Sequence, residues 1–471
     1  MNNHKLQINR IVYLMGIVVL GITYFFILGD NGPYEMRDSK SFLNPSFALL
    51  QSYWLYPRFL GICKNIFGQD NFLYFVYLIQ GILAISTSIC MTEFFRKYFN
   101  TNYRSAFLIY VFTLLPYGYS LPENVVTHHI MTEALSIPLF HICILFACKS
   151  FLANKKYYML LTGGVGILLV LSRPQLLVCI PVIAFFFLVF FGKEFLIKLA
   201  SIIKIKRETL IVFVVLIAGI VLVVLGYGVF SKTTIGSQFL DAISGRVMCL
   251  MEYEDRHLFE GEMQELYDTL YRNADEGGHL KKYFRTDSWR SYDIAEHTNE
   301  NTKEGLAVIR EFHKKKYPES NPIDYLEKSF QDRDTIIGTV LSNHIGDYVI
   351  MSIQLMMQSF VASVFIQPDS IRNLCYVITF IIYCAVFFLM YIAERKMRVE
   401  RKYIIPMLIT QLFLFTNVIL TNIVFYGQQR YVVYTFGMFY ISFFIIILGI
   451  YRKRKEQMRS EKSCKCYYSN L

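Results

Sequence analysis

IVYLMGIVVLGITYFFIL, residues 11–28, is a stretch of 18 residues without a single charge. An α-helix rises about 1.5 Å per residue and the hydrocarbon core of a bilayer is about 30 Å thick, so a run of this length is close to what a crossing needs. Lys5 and Arg10 precede it, and Gly29-Asp30-Asn31-Gly32-Pro33 follows as a turn, not as a small-residue cleavage site. It therefore reads as an uncleaved anchor.

Runs of the same kind recur at Phe72–Met91, Ser105–Leu115, Glu133–Ala147, Tyr157–Leu171, Gln175–Phe191, Leu210–Phe230, Leu374–Ile392, Tyr403–Phe425 and Val432–Ile450. Ser105–Leu115 and Glu133–Ala147 are short, as expected of tilted or partly re-entrant spans. Tyr348–Phe365 is also apolar, but a span there would carry Arg395, Lys396, Arg398, Arg401 and Lys402 to the outside. Reading it as an interfacial helix keeps the basic clusters on one side. The expectation is an all-α polytopic membrane protein of about ten transmembrane helices, with interfacial helices and a helical extracytoplasmic domain.

Composition agrees. The 471 residues are 54% hydrophobic and 18% charged, whereas soluble domains carry about a quarter charged residues. A soluble multidomain enzyme, a disordered tail protein and a disulfide scaffold are excluded. The net charge of +11 reports orientation. The inner segments hold 25 of the 47 Lys and Arg but only 7 of the 36 Asp and Glu, which leaves 22 basic and 29 acidic residues outside. Both termini are then cytoplasmic in a multi-pass protein of the plasma membrane, with membrane lipids as neighbours. Nothing recommends a nucleic acid.

The chain divides into a seven-helix module at 1–230, with a long first outer loop at 29–71, and a polar domain at 231–345. Residues 346–471 supply the interfacial helix, three further spans and a basic tail. In the loop, Ser46–Gly68 reads as membrane-hugging helices broken near Pro57. In the polar domain, His257–Tyr271, Thr302–Lys316 and Asp324–Phe330 show helical periodicity. Of ten cysteines, most fall inside or at the edge of spans, no CxxC or zinc-finger spacing occurs, and Cys63 and Cys249 are the pair that could bridge.

Charges at span ends are costly and often functional. Asp38, Glu133, Arg173 and Arg430 could gather on one outer face, with Glu35, Arg37, His128, His129 and Gln175 near them in sequence. A snorkelling anchor is the ordinary reading of an isolated arginine there.

The order of these features resembles the GT-C superfamily of membrane glycosyltransferases, which use polyprenyl-phosphate sugars. The resemblance rests on Glu35-Met36-Arg37-Asp38-Ser39, Tyr56-Pro57-Arg58-Phe59-Leu60, Leu78-Ile79-Gln80-Gly81, Thr132-Glu133-Ala134-Leu135-Ser136, Ser172-Arg173-Pro174-Gln175 and Gln429-Arg430-Tyr431. It covers Ile11–Gln175 best and the polar domain not at all. Many members carry adjacent acids, whereas here the pair is spaced Glu-x-x-Asp. The resemblance implies transfer of a hexosyl or pentosyl group from a polyprenyl-phosphate sugar donor to a glycan, lipid or protein acceptor, in cell-surface polysaccharide or glycoconjugate synthesis. Asp38 is the implied general base, with Glu35 second, since a phosphate leaving group needs no strong general acid. Arg173 and Arg430, then Arg37, are suited to the phosphate. Glu133 would hold an acceptor hydroxyl or orient an arginine. His128, His129 and Gln175 offer polar acceptor contacts. The i, i+4 spacing of His129 and Glu133 makes a divalent metal, Mg or Mn, the alternative. Rival readings are a polysaccharide polymerase or O-antigen-ligase-like transferase, and a flippase of lipid-linked sugars. The flippase would want ionisable residues deep in the spans and two related halves.

Overall fold

The structure, a computed structural model, describes residues 2–28, 32–36, 39–45, 55–119, 124–192, 234–280, 291–318, 322–365, 372–424 and 429–468. Among these every regular element is helical, apart from one isolated parallel bridge between Tyr34 and His129. In chain order the principal helices are α1 (Asn2–Ile22), α2 (Ser39–Leu43), α3 (Leu55–Phe67), α4 (Phe72–Tyr98), α5 (Tyr103–Leu114), α6 (Thr132–Ala153), α7 (Lys156–Ser172) and α8 (Cys179–Phe191). They continue as α9 (Thr234–Met248), α10 (Glu262–Glu276), α11 (Ser291–Lys316), α12 (Pro322–Asn343), α13 (Ile345–Ala362), α14 (Arg372–Tyr391), α15 (Ile405–Val424) and α16 (Phe436–Tyr468).

Eight helical stretches among the described residues are long and apolar enough to cross a membrane: Asn9–Ile27, Phe72–Tyr98, Thr132–Ala153, Pro174–Phe191, Ile345–Ala362, Leu374–Lys396, Arg401–Ile423 and Arg430–Ser460. The chain is thus a multi-pass membrane protein whose regular elements, among the described residues, are helices apart from that one bridge. Two of the ten expected spans fall short of that length, because α5 has 12 residues and α7 has 17. Leu210–Phe230 lies outside the described residues, as does the basic loop at 193–208. Ile345–Ala362, which covers most of the expected interfacial segment, is one of the eight by length and composition.

The chain forms two compact units, the first from Met1–Ile220, Val361–Asn417 and Gln429–Leu471, the second from Val221–Phe360 and Val418–Gln428. In the first, local chemistry sets the helix ends. Asn102 caps α5, its side chain accepting the Ser105 amide at 2.8 Å. Asn154 takes up the left-handed conformation at φ 52°, ending α6 and turning the chain straight into α7, which packs along it. Pro57 does not break a helix. It sits in the first turn of α3, where its missing N–H is no loss, and is buried there beside Tyr56. A small core of Phe42, Tyr56, Leu60, Cys63, Phe72, Val76 and Ile130 ties α2, α3 and α4 to the segment before α6.

The second unit has its own core, drawn from residues such as Val247, Leu266, Leu270, Ile309, Ile336 and Leu355. Helices α9 and α11 pack tightly at Gly245, where a Cβ would run into the Thr298 carbonyl and the Thr302 hydroxyl. Helix α10 begins later than the periodicity from His257 implies. Tyr253–Leu258 is a 3-10 turn closed by a capping box between Glu252 and Asp255, and Gly261, at φ 56°, redirects the chain before Glu262. The buried Arg246 meets the end of α15, donating to the carbonyls of Asn422 at 2.6 Å and Ile423 at 2.9 Å and to the Ser352 hydroxyl at 2.9 Å. Carbonyls in the last turn of a helix have no partner inside it, and a guanidinium fork can serve two together. Cys63 and Cys249 are both free thiols.

Candidate functional site

The site is built on a break in the polypeptide between α7 and the helical stretch that follows. Pro174 disfavours the helical conformation in the residue before it. Arg173 accordingly leaves α7 in an extended conformation, φ −155° and ψ 111°, and Pro174 opens a 3-10 turn that leads into α8. Both the helix end and the direction of the arginine thus follow from one proline.

Arg173 points into protein. Its Nη1 lies 2.5 Å from Oε1 of Glu133, which is in the first turn of α6, and the two side chains are 4% and 1% exposed. Nη1 also donates to the Tyr434 hydroxyl at 3.1 Å, and Nε donates to Gln175 Oε1. The Tyr434 hydroxyl is in turn 2.8 Å from Ser136 Oγ, and Thr132 Oγ1 donates to Glu133 Oε2 at 3.1 Å. Hydrogen bonds of this kind offset the cost of burying an ion pair, and here Glu133 Oε1 has no hydrogen bond beyond its ion pair with Arg173. Arg430 joins the group across an aromatic ring. The Arg173 guanidinium lies 5.1 Å from the Tyr431 ring centroid and that of Arg430 lies 5.2 Å from it, while Arg430 Nη2 donates to the Tyr431 hydroxyl at 3.2 Å. Two cations and one carboxylate around that ring sum to +1.

The acidic loop is stitched to the same region by backbone pairing. The Tyr34 amide donates to the His128 carbonyl at 2.7 Å, and the Ile130 amide donates back to the Tyr34 carbonyl at 3.0 Å. The buried Ser39 hydroxyl donates to the Ile130 carbonyl at 2.9 Å and accepts the Met36 amide at 2.8 Å. From the other side, the Gln80 amide on α4 donates to the carbonyls of Thr127 at 2.8 Å and His129 at 3.2 Å, and Tyr56 on α3 donates to Gln80 Oε1 at 3.0 Å. His128 Nε2 is 2.8 Å from the Phe25 carbonyl. Burial pushes the His129 imidazole down to about 4, against the pull of the Glu133 carboxylate, with His128 adding to the fall.

Of the residues singled out from the sequence, Glu133, Arg173, Gln175 and Arg430 come together. His128 and His129 are buried in the segment leading to Glu133, and Glu35 is exposed beside Tyr34. Asp38 and Arg37 lie outside the described residues. Tyr431 stood in the Gln429-Arg430-Tyr431 motif without a role of its own, and neither Tyr434 nor Tyr34 was singled out from the sequence. Tyrosines in apolar runs read as interface residues, and the only hint was that Tyr431 and Tyr434 closely follow Arg430. No group of three metal-ligating atoms within 4.8 Å forms around His129 and Glu133 among the described residues. One such group occurs in the second unit, at Glu262, His313 and Asp332.

Searches for relatives give no guide: no family model matches the chain, and neither does any curated protein or solved structure.

Proposed function

We propose that the protein is a membrane glycosyltransferase of the GT-C type. It moves a sugar from a polyprenyl-phosphate donor to a glycan, lipid or protein acceptor on the extracytoplasmic face of the plasma membrane. The observation that carries this reading is the Tyr34–His129 pairing. It brings the loop bearing Glu35, and in sequence Asp38, onto the segment that leads into Glu133 and its arginine partners. A carboxylate source and a net cationic cluster therefore share one end of the first unit. The distribution of Lys and Arg between loops supports placing that end outside.

In the proposed reaction the acceptor oxygen forms a bond to the anomeric carbon. The bond from that carbon to the phosphate oxygen breaks, its electron pair leaves on the lipid phosphate, and the hydroxyl proton passes to a loop carboxylate, Asp38 first and Glu35 second. Arg430, backed by Arg173, would hold the departing phosphate, since guanidinium pairs with phosphate through parallel hydrogen bonds. Glu133 keeps Arg173 in place. Membranes containing the Asp38→Asn variant should transfer sugar from a radiolabelled lipid-phosphate donor at least about 100-fold more slowly, the scale of a lost general base, with unchanged abundance of the protein. Transfer at the wild-type rate would remove Asp38 from the chemistry.

A further inference from the structure

We propose that Glu262, His313 and Asp332 form a binding site for one divalent transition-metal ion of the zinc or manganese type, independent of the proposed transferase site. The three residues come from three different helices of the second unit, α10, α11 and α12. One ligand atom from each lies within 4.8 Å of the others. The His313 side chain is completely buried, with Nε2 3.0 Å from Asp332 Oδ2 and Nδ1 3.7 Å from Glu262 Oε1. Neither ring nitrogen makes a hydrogen bond, and Asp332 Oδ2 is also without one.

That arrangement is awkward for an imidazole on its own. A neutral ring has one N–H and one lone pair, so one nitrogen must turn its lone pair towards a carboxylate oxygen. A cation between that nitrogen and the carboxylates relieves the repulsion. Tetrahedral ligand bonds of about 2.0–2.2 Å set neighbouring ligand atoms about 3.4 Å apart, so the His313–Asp332 pair would open slightly to admit the ion. One nitrogen with two carboxylates suits zinc or manganese, whereas calcium prefers six to eight oxygens. The surrounding groups already hold the ligands. Tyr317 donates to Glu262 Oε2 at 2.7 Å, and Lys328 Nζ sits 3.1 Å from Glu262 Oε1 and 3.0 Å from the Tyr317 hydroxyl. The ammonium stands where a metal would compete for Glu262. Asp332 and Glu262 are partly exposed, at 17% and 27%, so an ion has a way in.

The test uses the full chain in detergent, stripped with a chelator and dialysed against ZnCl2, MnCl2 or CaCl2, with metal content and thermal midpoint as readouts. The wild type should retain one more equivalent of zinc or manganese than His313→Gln or Asp332→Asn, and its midpoint should rise with these ions but not with calcium. Lys328→Gln should bind several-fold more tightly, which keeps the test open if His313→Gln does not fold. Equal metal content in the wild type and Asp332→Asn would overturn the proposal and leave a His313 ring set between two carboxylates without an ion. A wild-type midpoint indifferent to both metals would do the same.

Discussion

Arg173 on the residue after α7 and Glu133 on the first turn of α6 form a buried ion pair with Nη1 and Oε1 2.5 Å apart. Glu133→Gln leaves a guanidinium inside the protein without its counter-charge, which costs about 3–5 kcal/mol in comparable settings. The double variant Glu133→Gln/Arg173→Gln should lose less than the sum of the single changes. Denaturant or thermal unfolding of the four proteins in one detergent gives the coupling directly, and additive losses would mean the pair is not energetically linked.

Arg430 should separate from Arg173 in kinetics. Arg430 is only partly buried, while Arg173 is enclosed by Glu133, Tyr434 and Gln175. On the proposed function, Arg430→Ala raises the KM for the lipid-phosphate donor by about tenfold or more, the scale of a lost charged contact, and leaves the thermal midpoint nearly unchanged. Arg173→Ala lowers both the midpoint and the turnover. Identical behaviour of the two variants would show that they do not divide the work this way.

Ser39→Ala tests the attachment of the acidic loop. The change strands the Met36 amide, a loss of about 1–3 kcal/mol when the group stays buried, and removes the contact to the Ile130 carbonyl. Hydrogen exchange at Met36 should accelerate while the amides of α4 stay protected. Unchanged exchange at Met36 would mean the loop is held by the Tyr34 pairing alone.

His129 gives a pH dependence with a definite sign. Its folded-state value, about 4, is depressed below the ordinary 6.5 by burial, so the folded protein prefers the neutral ring. The stabilisation is fully present above pH 6.5 and is lost as pH falls from there to about 4, amounting to about 3 kcal/mol at most. Relative to His129→Gln, the wild type should lose thermal midpoint over that window. Parallel midpoint curves for the two proteins would refute the assignment.

What could be read from the sequence was the class of protein and the cast of charged residues. Uninterrupted apolar runs have only one comfortable solvent, so α4, α6 and α16 were visible from composition. Arg173, Glu133 and Arg430 stood out because charges at span ends are expensive. Their pairing was not visible, since Glu133 and Arg173 are 40 positions apart and nothing local in either motif specifies the other. The Tyr34–His129 bridge was hidden for a different reason: a single bridge has no periodicity to detect. The start of α10 was placed too early because His257 and Leu258 close a 3-10 turn and Gly261, at φ 56°, redirects the chain before Glu262.

The step from Ser172 through Arg173 to Pro174 also bears on temperature and selectivity. A free arginine side chain carries about 2 kcal/mol of rotamer entropy, and here most of that freedom is surrendered when the chain folds. On the proposed function an anion held by Arg430 binds beside a guanidinium already immobilised, so its association would not have to order Arg173 as well. Preference among ligands then falls to the residues lining the approach, and those can vary while the cation stays where the proline put it.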